Sequence, residues 1–302
     1  MARTASRSDR QVLGAIRAVT YTVPDLRAIE RAYVDHLGYN VAARGRVGAH
    51  LARAWGAAEV AGLRMLLLGP ASGEPVFLRF VEDSRGGSWA ALRTHGWNAT
   101  EFVVQDVDAL ARRLEQSPFQ IIGLPTGLTR FPMIRAMQAI GPAGECCYFT
   151  EVGAGSGLSL AAARSFVGRV FIVVAAGSDA DELFGPYREF ANALDAPVAT
   201  PVAVISRAHG LPPGTLHRHG LVRLPHGTLI ELDQYPPGAR ARACGPGRLP
   251  PGMAMVTFDV RSLAGRRVTA LQPGDLPGIG GCCACLRGAA GELIELVAPA
   301  PD

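Results

Sequence analysis

Lysine is absent from this sequence, and all 30 of its basic residues are arginine. Any mechanism that needs a lysine Schiff base, a lysine general base or the lysine of a phosphate-binding loop is therefore excluded. Long apolar runs are also missing, since none approaches the ~20 residues that a membrane-spanning helix needs. The basic N-terminus lacks the apolar core of a signal peptide. We expect a cytoplasmic protein that does not act at a membrane.

Charge and cysteine are sparse as well. Charged residues make up 19% of the sequence, the net charge is +4, and the arginines do not cluster with aromatic residues. Nucleic-acid binding is therefore not indicated. The six cysteines match no zinc-binding spacing, and we expect reduced thiols. The 48% hydrophobic content is typical of a globular protein. The 36 glycines and 22 prolines favour many short strands and turns.

Four segments of the chain follow one plan, in which a strand is followed by a helix and by further strands that end in a hairpin. Each opening strand alternates β-branched and aromatic residues with others. Asp25 and Asp106 follow the first two opening strands, where each can cap a helix. The fourth unit has almost no helix, and unit one has a helical insertion with Trp55 at residues 48–62. The predicted helices cover residues 26–37, 107–116 and 180–194.

Each unit closes with a glycine turn and an apolar strand, at residues 73–78, 144–149, 227–232 and 291–296. Two of these strands contain Leu-Ile-Glu-Leu, which places Glu231 and Glu295 among apolar residues. A carboxylate inside such a strand either faces water or has a function. His217 and His219 lie on the strand that pairs with the Glu231 strand. A hairpin with an odd loop places His219 beside Glu231, whereas a two-residue turn places Gly220 there.

These units predict an α+β fold, because one unit cannot bury both faces of its sheet. Four βαβββ modules would form two cup-shaped, partly open eight-stranded sheets with helices outside. Short joins within each half predict that unit one pairs with unit two, and unit three with unit four. The predicted boundaries are a frayed tail at 1–14, an N-terminal pair of modules at 15–152, a Gly/Ser/Ala-rich linker at 153–165 and a C-terminal pair at 166–302.

The repeat plan, the Thr-Val-Pro-Asp-Leu sequence that opens the first helix and the Leu-Ile-Glu-Leu hairpins resemble the vicinal oxygen chelate superfamily. That superfamily includes glyoxalase I, extradiol dioxygenases, methylmalonyl-CoA epimerase and bleomycin-resistance proteins. The resemblance covers about residues 15–298, and the four-unit length is most like the two-domain extradiol dioxygenases. It implies that each unit supplies two metal-ligand positions, a histidine in its first strand and a glutamate in its last strand. The histidine positions here hold Ala18, Ala99, Arg169 and Met255, and the glutamate positions hold Phe77, Tyr148, Glu231 and Glu295.

The resemblance implies one apolar cup and one charged cup. The charged, C-terminal cup would gather Glu231, Glu295, Arg169 and Met255. Paired carboxylates push their pKa values apart, which creates an acid and a base. We therefore predict Glu231 and Glu295 as catalytic acid–base residues, with Arg169 stabilising an oxyanion. A structural Glu231–Arg169–Glu295 salt bridge is the alternative. The predicted substrate-binding residues are Met255, His219, Tyr148 and Phe77.

Three classes of function remain open. The first is a metal-independent isomerase or lyase that moves a proton next to the carbonyl of a carbonyl or aromatic-derived substrate. The second is a non-catalytic binding protein of the bleomycin-resistance type. The third is a metal enzyme of the glyoxalase or extradiol type with altered ligands.

The residues at the family's ligand positions weigh against the metal enzyme. No histidine stands there, and Fe(II) and Zn(II) sites depend on imidazole, so we expect no cofactor. If a divalent metal binds, the expected ligands are Glu231, Glu295 and His219. The expected partners are a small-molecule substrate and, in a homodimer, a second copy of the chain.

Overall fold

The structure is a computed structural model that describes residues 13–85, 89–128, 131–153, 159–190 and 193–300. Most of the predicted 1–14 tail, the middle of the 153–165 linker and residues 191–192 of the third helix lie outside the described residues. Among the described residues, no helix is long and apolar enough to cross a bilayer.

The described residues form seventeen strands and five α-helices in four units. The strands of unit one are β1 (Ile16–Val23), β2 (Asn40–Arg46), β3 (Arg64–Gly69) and β4 (Phe77–Glu82). Those of unit two are β5 (Gly96–Val104), β6 (Gln120–Leu128), β7 (Phe131–Ile140) and β8 (Cys146–Val152). Those of unit three are β9 (Val167–Gly177), β10 (Ala193–Leu194), β11 (Val198–Pro201), β12 (Leu216–Leu224) and β13 (Thr228–Gln234). Those of unit four are β14 (Gly252–Asp259), β15 (Thr269–Ala270), β16 (Cys282–Arg287) and β17 (Leu293–Ala298).

Three of the five helices begin where the sequence predicts, but the predicted helix at 180–194 is too long, because residues 193–194 form β10. They are α1 (Leu26–Arg31), α2 (Ala49–Ala54), α3 (Val107–Leu114), α4 (Ala180–Phe190) and α5 (Ala203–Ala208). The Asp25 side chain accepts hydrogen bonds from the first turn of α1, and Asp106 does the same for α3. After α1 the chain continues as a π-helix, Ala32–Leu37, which ends at Gly38 with φ of 72°. Glycine adopts this left-handed conformation without strain.

The strands form two sheets, which confirms the predicted α+β architecture. Sheet I has eight strands in the order β15-β16-β17-β14-β1-β4-β3-β2. Sheet II has nine, in the order β10-β12-β13-β9-β5-β8-β7-β6, with β11 paired to β12. Sheet I therefore joins units one and four, and sheet II joins units two and three.

The prediction that unit one pairs with unit two, and unit three with unit four, is therefore wrong. The two units of sheet I meet where β1 runs antiparallel to β14, and those of sheet II meet where β5 runs antiparallel to β9. Connection length does not decide this pairing, because doubling a loop adds only about 0.6 kcal/mol of closure entropy. The strands at these junctions lie in the interior, where seven of the eight residues of β1 and all nine of β5 are buried. Burying one large apolar side chain already stabilises by about 1.5–3 kcal/mol.

One continuous apolar core lies between the two sheets and includes the buried faces of α1, α3 and α4. These three helices thus lie outside the cups, as predicted, whereas α2 and α5 do not. Side chains that point away from this core, into the cups, form separate clusters. In sheet I the cup contains α2, whose Leu51 and neighbouring Trp55 are buried there. In sheet II the cup contains Val204 and Ile205 of α5.

Candidate active site

The β12–β13 hairpin brings three polar side chains to one face of sheet II. His219 lies opposite Asp233, and Leu221 lies opposite Glu231. Residues two apart on a strand point the same way, so His219, Asp233 and Glu231 share a face. The connecting turn, Pro225–Gly227, has three residues. The odd-loop register is therefore the one that forms, with Asp233 rather than Glu231 directly opposite the histidine.

The polar atoms of this hairpin converge, and two of them lack partners. His219 Nδ1 lies 3.9 Å from Glu231 Oε1. His219, Glu231 and Asp233 each offer one nitrogen or carboxylate oxygen, and these atoms lie within 4.8 Å of one another. His219 Nδ1 and Asp233 Oδ1 are buried without a hydrogen-bond partner. The other imidazole nitrogen, Nε2, is hydrogen-bonded to Thr200 Oγ1 of β11 at 2.8 Å.

The environment of the carboxyl pair favours its protonated forms. Burial raises the pKa of Glu231, although the nearby His219 opposes this shift. Burial, followed by the charge of Glu231 and a hydrogen bond with it, raises the pKa of Asp233 well above its usual range. Asp233 is only 2% exposed. Two such carboxyl groups cannot both ionise easily, so they share a proton.

Neighbouring strands add a third acid and two phenols. Glu101 of β5 lies opposite Tyr148 of β8 and accepts a hydrogen bond from Thr150. Burial, with a smaller contribution from the Glu231 charge, raises the pKa of Glu101 to about 8. Tyr235, which follows β13, is 2% exposed, and its hydroxyl group is buried without a hydrogen-bond partner.

The segment from β11 to α5 covers this cup. Ser206 of α5 has no exposed surface, and its hydroxyl group is hydrogen-bonded to His217 Nε2 at 2.8 Å. Val204 and Ile205 pack with Val174 in the cup. The side chains of His219 and Glu231 keep about one fifth of their surface exposed, at 19% and 20%. The cluster is therefore enclosed but open to solvent at one end.

Glu295 lies in the other sheet, among the residues that fill its cup. Its carboxylate accepts hydrogen bonds from Arg79 Nη2 at 2.7 Å, Trp55 Nε1 at 2.6 Å and Thr257 Oγ1 at 2.6 Å. Arg79 and Glu295 have no exposed surface. The Arg79 guanidinium also stacks on the Trp55 ring at 4.6 Å from its centroid. All of these contacts join parts of the protein, so Glu295 is in a closed structural ion pair.

The expected grouping of Glu231, Glu295 and Arg169 in one cavity is therefore wrong. Arg169 donates a hydrogen bond to the carbonyl of His226 at 2.6 Å and lies 3.2 Å from Glu74 Oε1. Val174 is the β9 residue opposite Glu231. It lies five residues beyond Arg169, or about 16 Å along the strand. The pairing of the units separates Glu295 from Glu231, since it puts units three and four in different sheets, and the β9–β13 register separates Arg169 from Glu231 within sheet II.

The predicted substrate-binding residues divide between the two sheets. Met255 and Phe77 are buried in the apolar cluster of the sheet I cup, beside Ala18 and Trp55. Tyr148 joins the cluster of the sheet II cup, the cup that also holds the hairpin carboxylates. Only His219 and Tyr148 are therefore placed near Glu231.

The metal sites that the resemblance implies do not fit either cup. In sheet I the Arg79 guanidinium already binds the one carboxylate at the expected positions. In sheet II Glu231 is the one expected ligand, and its nearest polar neighbours, His219 and Asp233, lie on its own hairpin. The other expected positions hold Ala18, Phe77 and Met255 in sheet I and Ala99, Tyr148 and Arg169 in sheet II.

Three further residues of these sites lie outside the glutamate position of the Leu-Ile-Glu-Leu motif, but the sequence marks them too. Arg79, Glu101 and Asp233 are each a charged residue inside an apolar strand. This is the same signal that marks Glu231 and Glu295. Asp233 also stands two residues after Glu231, which places both carboxylates on one face of a strand. A search of every strand for a charged residue among apolar ones would find all of these residues. It would not show which of them lie close together in the fold.

The fold is similar to that of solved structures of comparable length. One is glyoxalase I from Zea mays, which is 16% identical, with 94% of this chain and 92% of that chain covered at a TM-score of 0.59. Another is a putative dioxygenase from Bacillus subtilis, which is 14% identical, with 96% of this chain and 87% of that chain covered at a TM-score of 0.62. These likenesses confirm the fold expected from the sequence. No protein-family profile and no curated protein matches the sequence.

Proposed function

We propose that this chain, which has the fold of the vicinal oxygen chelate superfamily, is a small-molecule enzyme of the acid–base type. The reaction class is an isomerase or lyase that moves a proton next to a carbonyl group, and its reacting groups lie in the sheet II cup. One observation supports this proposal above the others. Glu231 and Asp233 adjoin in an enclosed site, and among the described residues no arginine pairs with either carboxylate.

The contrast between the two cups supports the choice of site. In sheet I the carboxylate of Glu295 is neutralised by Arg79, and the cup is filled by Trp55. A carboxylate held in this way cannot accept a proton from a substrate without breaking a buried ion pair. The carboxyl pair in sheet II shares a proton instead, so one member can accept a proton while its neighbour donates one.

The roles in this cup follow from exposure and hydrogen bonding. Glu231 is the more exposed member of the pair, and we assign it as the base that reaches the substrate. Asp233 is almost fully buried and holds the shared proton. Arg169 is too far away to stabilise an oxyanion. The free hydroxyl of Tyr235 takes that role, because burial raises its pKa well above the usual value and keeps it a hydrogen-bond donor.

The proposal is tested by proton exchange in D₂O. Candidate carbonyl compounds, including single-ring ketones, are incubated with the protein, and deuterium incorporation next to the carbonyl is followed by proton NMR. Glu231→Gln keeps the side-chain volume and removes the base, so exchange should fall by about 10²–10⁴. Glu30→Gln is the matched control, because Glu30 pairs with Arg44 on the surface.

Two results would count against the proposal. Proton exchange that persists at the wild-type rate in Glu231→Gln would show that another group is the base. If a compound binds tightly but none of its protons exchanges, the protein belongs to the second class that the sequence leaves open, a non-catalytic binding protein.

A further inference from the structure

We infer that the sheet II cup binds the ammonium group of an organic amine, held by His219, Glu231 and Asp233. This inference rests on the proposed function only for the location of the site, and it names the chemical class of a ligand that the site binds. Its support comes from three features of the cup: the number of free acceptors, the sign of the surrounding charge and the apolar walls.

The hairpin offers three acceptor atoms, which is the number of N–H groups on a primary ammonium ion. Glu231 and Asp233 each supply a carboxylate oxygen. His219 supplies Nδ1 when its Nε2 carries the proton and donates it to Thr200 Oγ1. The free Nδ1 and the free Oδ1 of Asp233 are both buried. An ammonium ion would satisfy both of these atoms, which otherwise remain without partners.

The spacing of these acceptors lies between the values expected around an ammonium ion and around a small metal ion. Acceptors about 2.9 Å from a tetrahedral nitrogen lie about 4.7 Å from each other. Ligands about 2.1 Å from a tetrahedral zinc lie only about 3.4 Å apart. His219 Nδ1 and Glu231 Oε1 are 3.9 Å apart, and the three donor atoms lie within 4.8 Å of one another. The 3.9 Å pair would widen by about 0.8 Å around an ammonium nitrogen and contract by about 0.5 Å around zinc, so its separation selects neither ion.

The negative charge of the cup comes from its carboxyl pair, and no arginine of the described residues forms an ion pair with Glu231 or Asp233. Glu101 adds a third carboxyl group near Glu231. Arg242, whose charge acts on Tyr235, donates its hydrogen bonds to the backbone carbonyls of Trp97, Pro251 and Met253. An anionic ligand such as a carboxylate or an acyl phosphate would meet these acids without a partner. A cation would instead be stabilised by the ionised member of the carboxyl pair.

The walls of the cup fit the organic part of such a ligand. Val174, Ile205 and Tyr235 are buried there, and Tyr148 packs against them. Tyr235 is only 2% exposed, and its unpartnered hydroxyl group lies near the two hairpin carboxylates. An apolar body would contact these side chains while its ammonium group meets the hairpin. A hydrated metal ion would use none of this apolar surface.

The inference is tested with matched small molecules at constant ionic strength. Methylamine, n-butylamine and benzylamine are each compared with the alcohol and the carboxylate of the same carbon skeleton. Binding is measured by calorimetry and by the rise in melting temperature, on protein treated with chelator and checked for metal content. We expect each amine that binds to bind at least about tenfold more tightly than its alcohol, and the carboxylates not to bind. We also expect less than about 0.1 equivalent of Fe, Zn, Mn or Ni in the purified protein.

Two variants show whether the binding uses the hairpin. Glu231→Gln and Asp233→Asn keep the volume of each side chain, and either change should weaken amine binding at least about tenfold. Glu30→Gln should leave it unchanged. If one hairpin variant fails to fold, the other still tests the site.

Four results would overturn the inference. They are equal binding of amine and alcohol, preferential binding of a carboxylate, absence of binding by all three amines, and stoichiometric metal that resists chelation. The binding measurement needs no turnover, so it stays separate from the proposed function. If amines bind but no compound exchanges protons, the amine site is supported and the proposed enzymatic function is rejected. If uncharged ketones exchange protons but no amine binds, the enzymatic function is supported and the amine site is rejected.

Discussion

Arg79 and Glu295 form an ion pair of 2.7 Å in which neither side chain has any exposed surface. The two residues come from units one and four, 216 residues apart in the chain. Their charges cancel in the middle of the sheet I cup, where Trp55 and Thr257 also donate to Glu295 and Arg79 Nε donates to Thr20. Glu295, the glutamate in the closing strand of unit four, is thus part of the protein core.

The first prediction concerns the stability that depends on this pair. Glu295→Gln keeps the acceptor for Trp55 but leaves the buried Arg79 charge without a partner. We expect the free energy of unfolding, measured with urea, to fall by about 3–5 kcal/mol. The double variant Arg79→Met, Glu295→Leu removes both charges and should recover most of the loss. An unfolding curve for Glu295→Gln that overlays the wild type would show that the pair contributes nothing.

The second prediction concerns pH. Glu145 is 1% exposed and accepts hydrogen bonds from Tyr33 Oη at 3.1 Å and from the backbone N–H of Ala143 at 2.8 Å. Burial raises its pKa to about 7. The folded state therefore holds a proton that the unfolded state loses above about pH 4.5. Stability should fall as the pH rises from about 4.5 to 7, because fewer protons are bound in the unfolded state.

Glu145→Gln should remove this contribution. The slope of unfolding free energy against pH between 5 and 7 should become less negative by up to about 1.4 kcal/mol per pH unit. Urea unfolding of both proteins at pH 5, 6 and 7 measures the difference. Glu82→Gln, in which the changed side chain is partly exposed and pairs with Arg64, is the control. Parallel slopes for wild type and Glu145→Gln would mean that Glu145 is ionised in the folded protein.

Local features of the fold can be predicted from the sequence because their causes are local. Asp25 and Asp106 lie directly before the helices that they cap, and Gly38 ends the first helix. The alternation in β1 and β5 marks both as strands with buried faces. Each of these signals depends on a few consecutive residues, so a single sequence is enough to recognise it.

The pairing of the units cannot be predicted in this way, and the site depends on the pairing. The first strands of all four units are similarly apolar, so the sequence alone does not show that β1 pairs with β14 rather than with β5. Once that pairing is known, Glu295 can be placed beside Arg79. The polar neighbours of Glu231 are then residues of its own hairpin. The partner of Glu231, Asp233, is only two residues away and is within reach of sequence analysis.

The third prediction concerns access to the sheet II cup. α5 has only six residues, and the hydrogen bond between Ser206 Oγ and His217 Nε2 ties it to β12. Ser206→Ala leaves the buried His217 nitrogen without this partner, which costs about 1–3 kcal/mol. That loss should appear mainly as local opening of α5, because so short a helix has little stability of its own. Hydrogen exchange of the amides of Ser206 and Leu211, which bond to Val202 and Ser206 carbonyls, should then be about tenfold faster or more.

Ser165→Ala is the matched control for this measurement, because it removes a hydroxyl hydrogen bond of the same 2.8 Å length, made to the Val167 carbonyl outside the cup. Its exchange rates within α5 should equal those of the wild type. If α5 covers the route to Glu231, faster opening in Ser206→Ala should also raise the association rate of any ligand of the cup. Unchanged exchange in α5 would show that its packing through Val204 and Ile205 holds the helix without the hydrogen bond. Faster exchange with an unchanged association rate would place the entrance at the exposed edge of His219 and Glu231 instead.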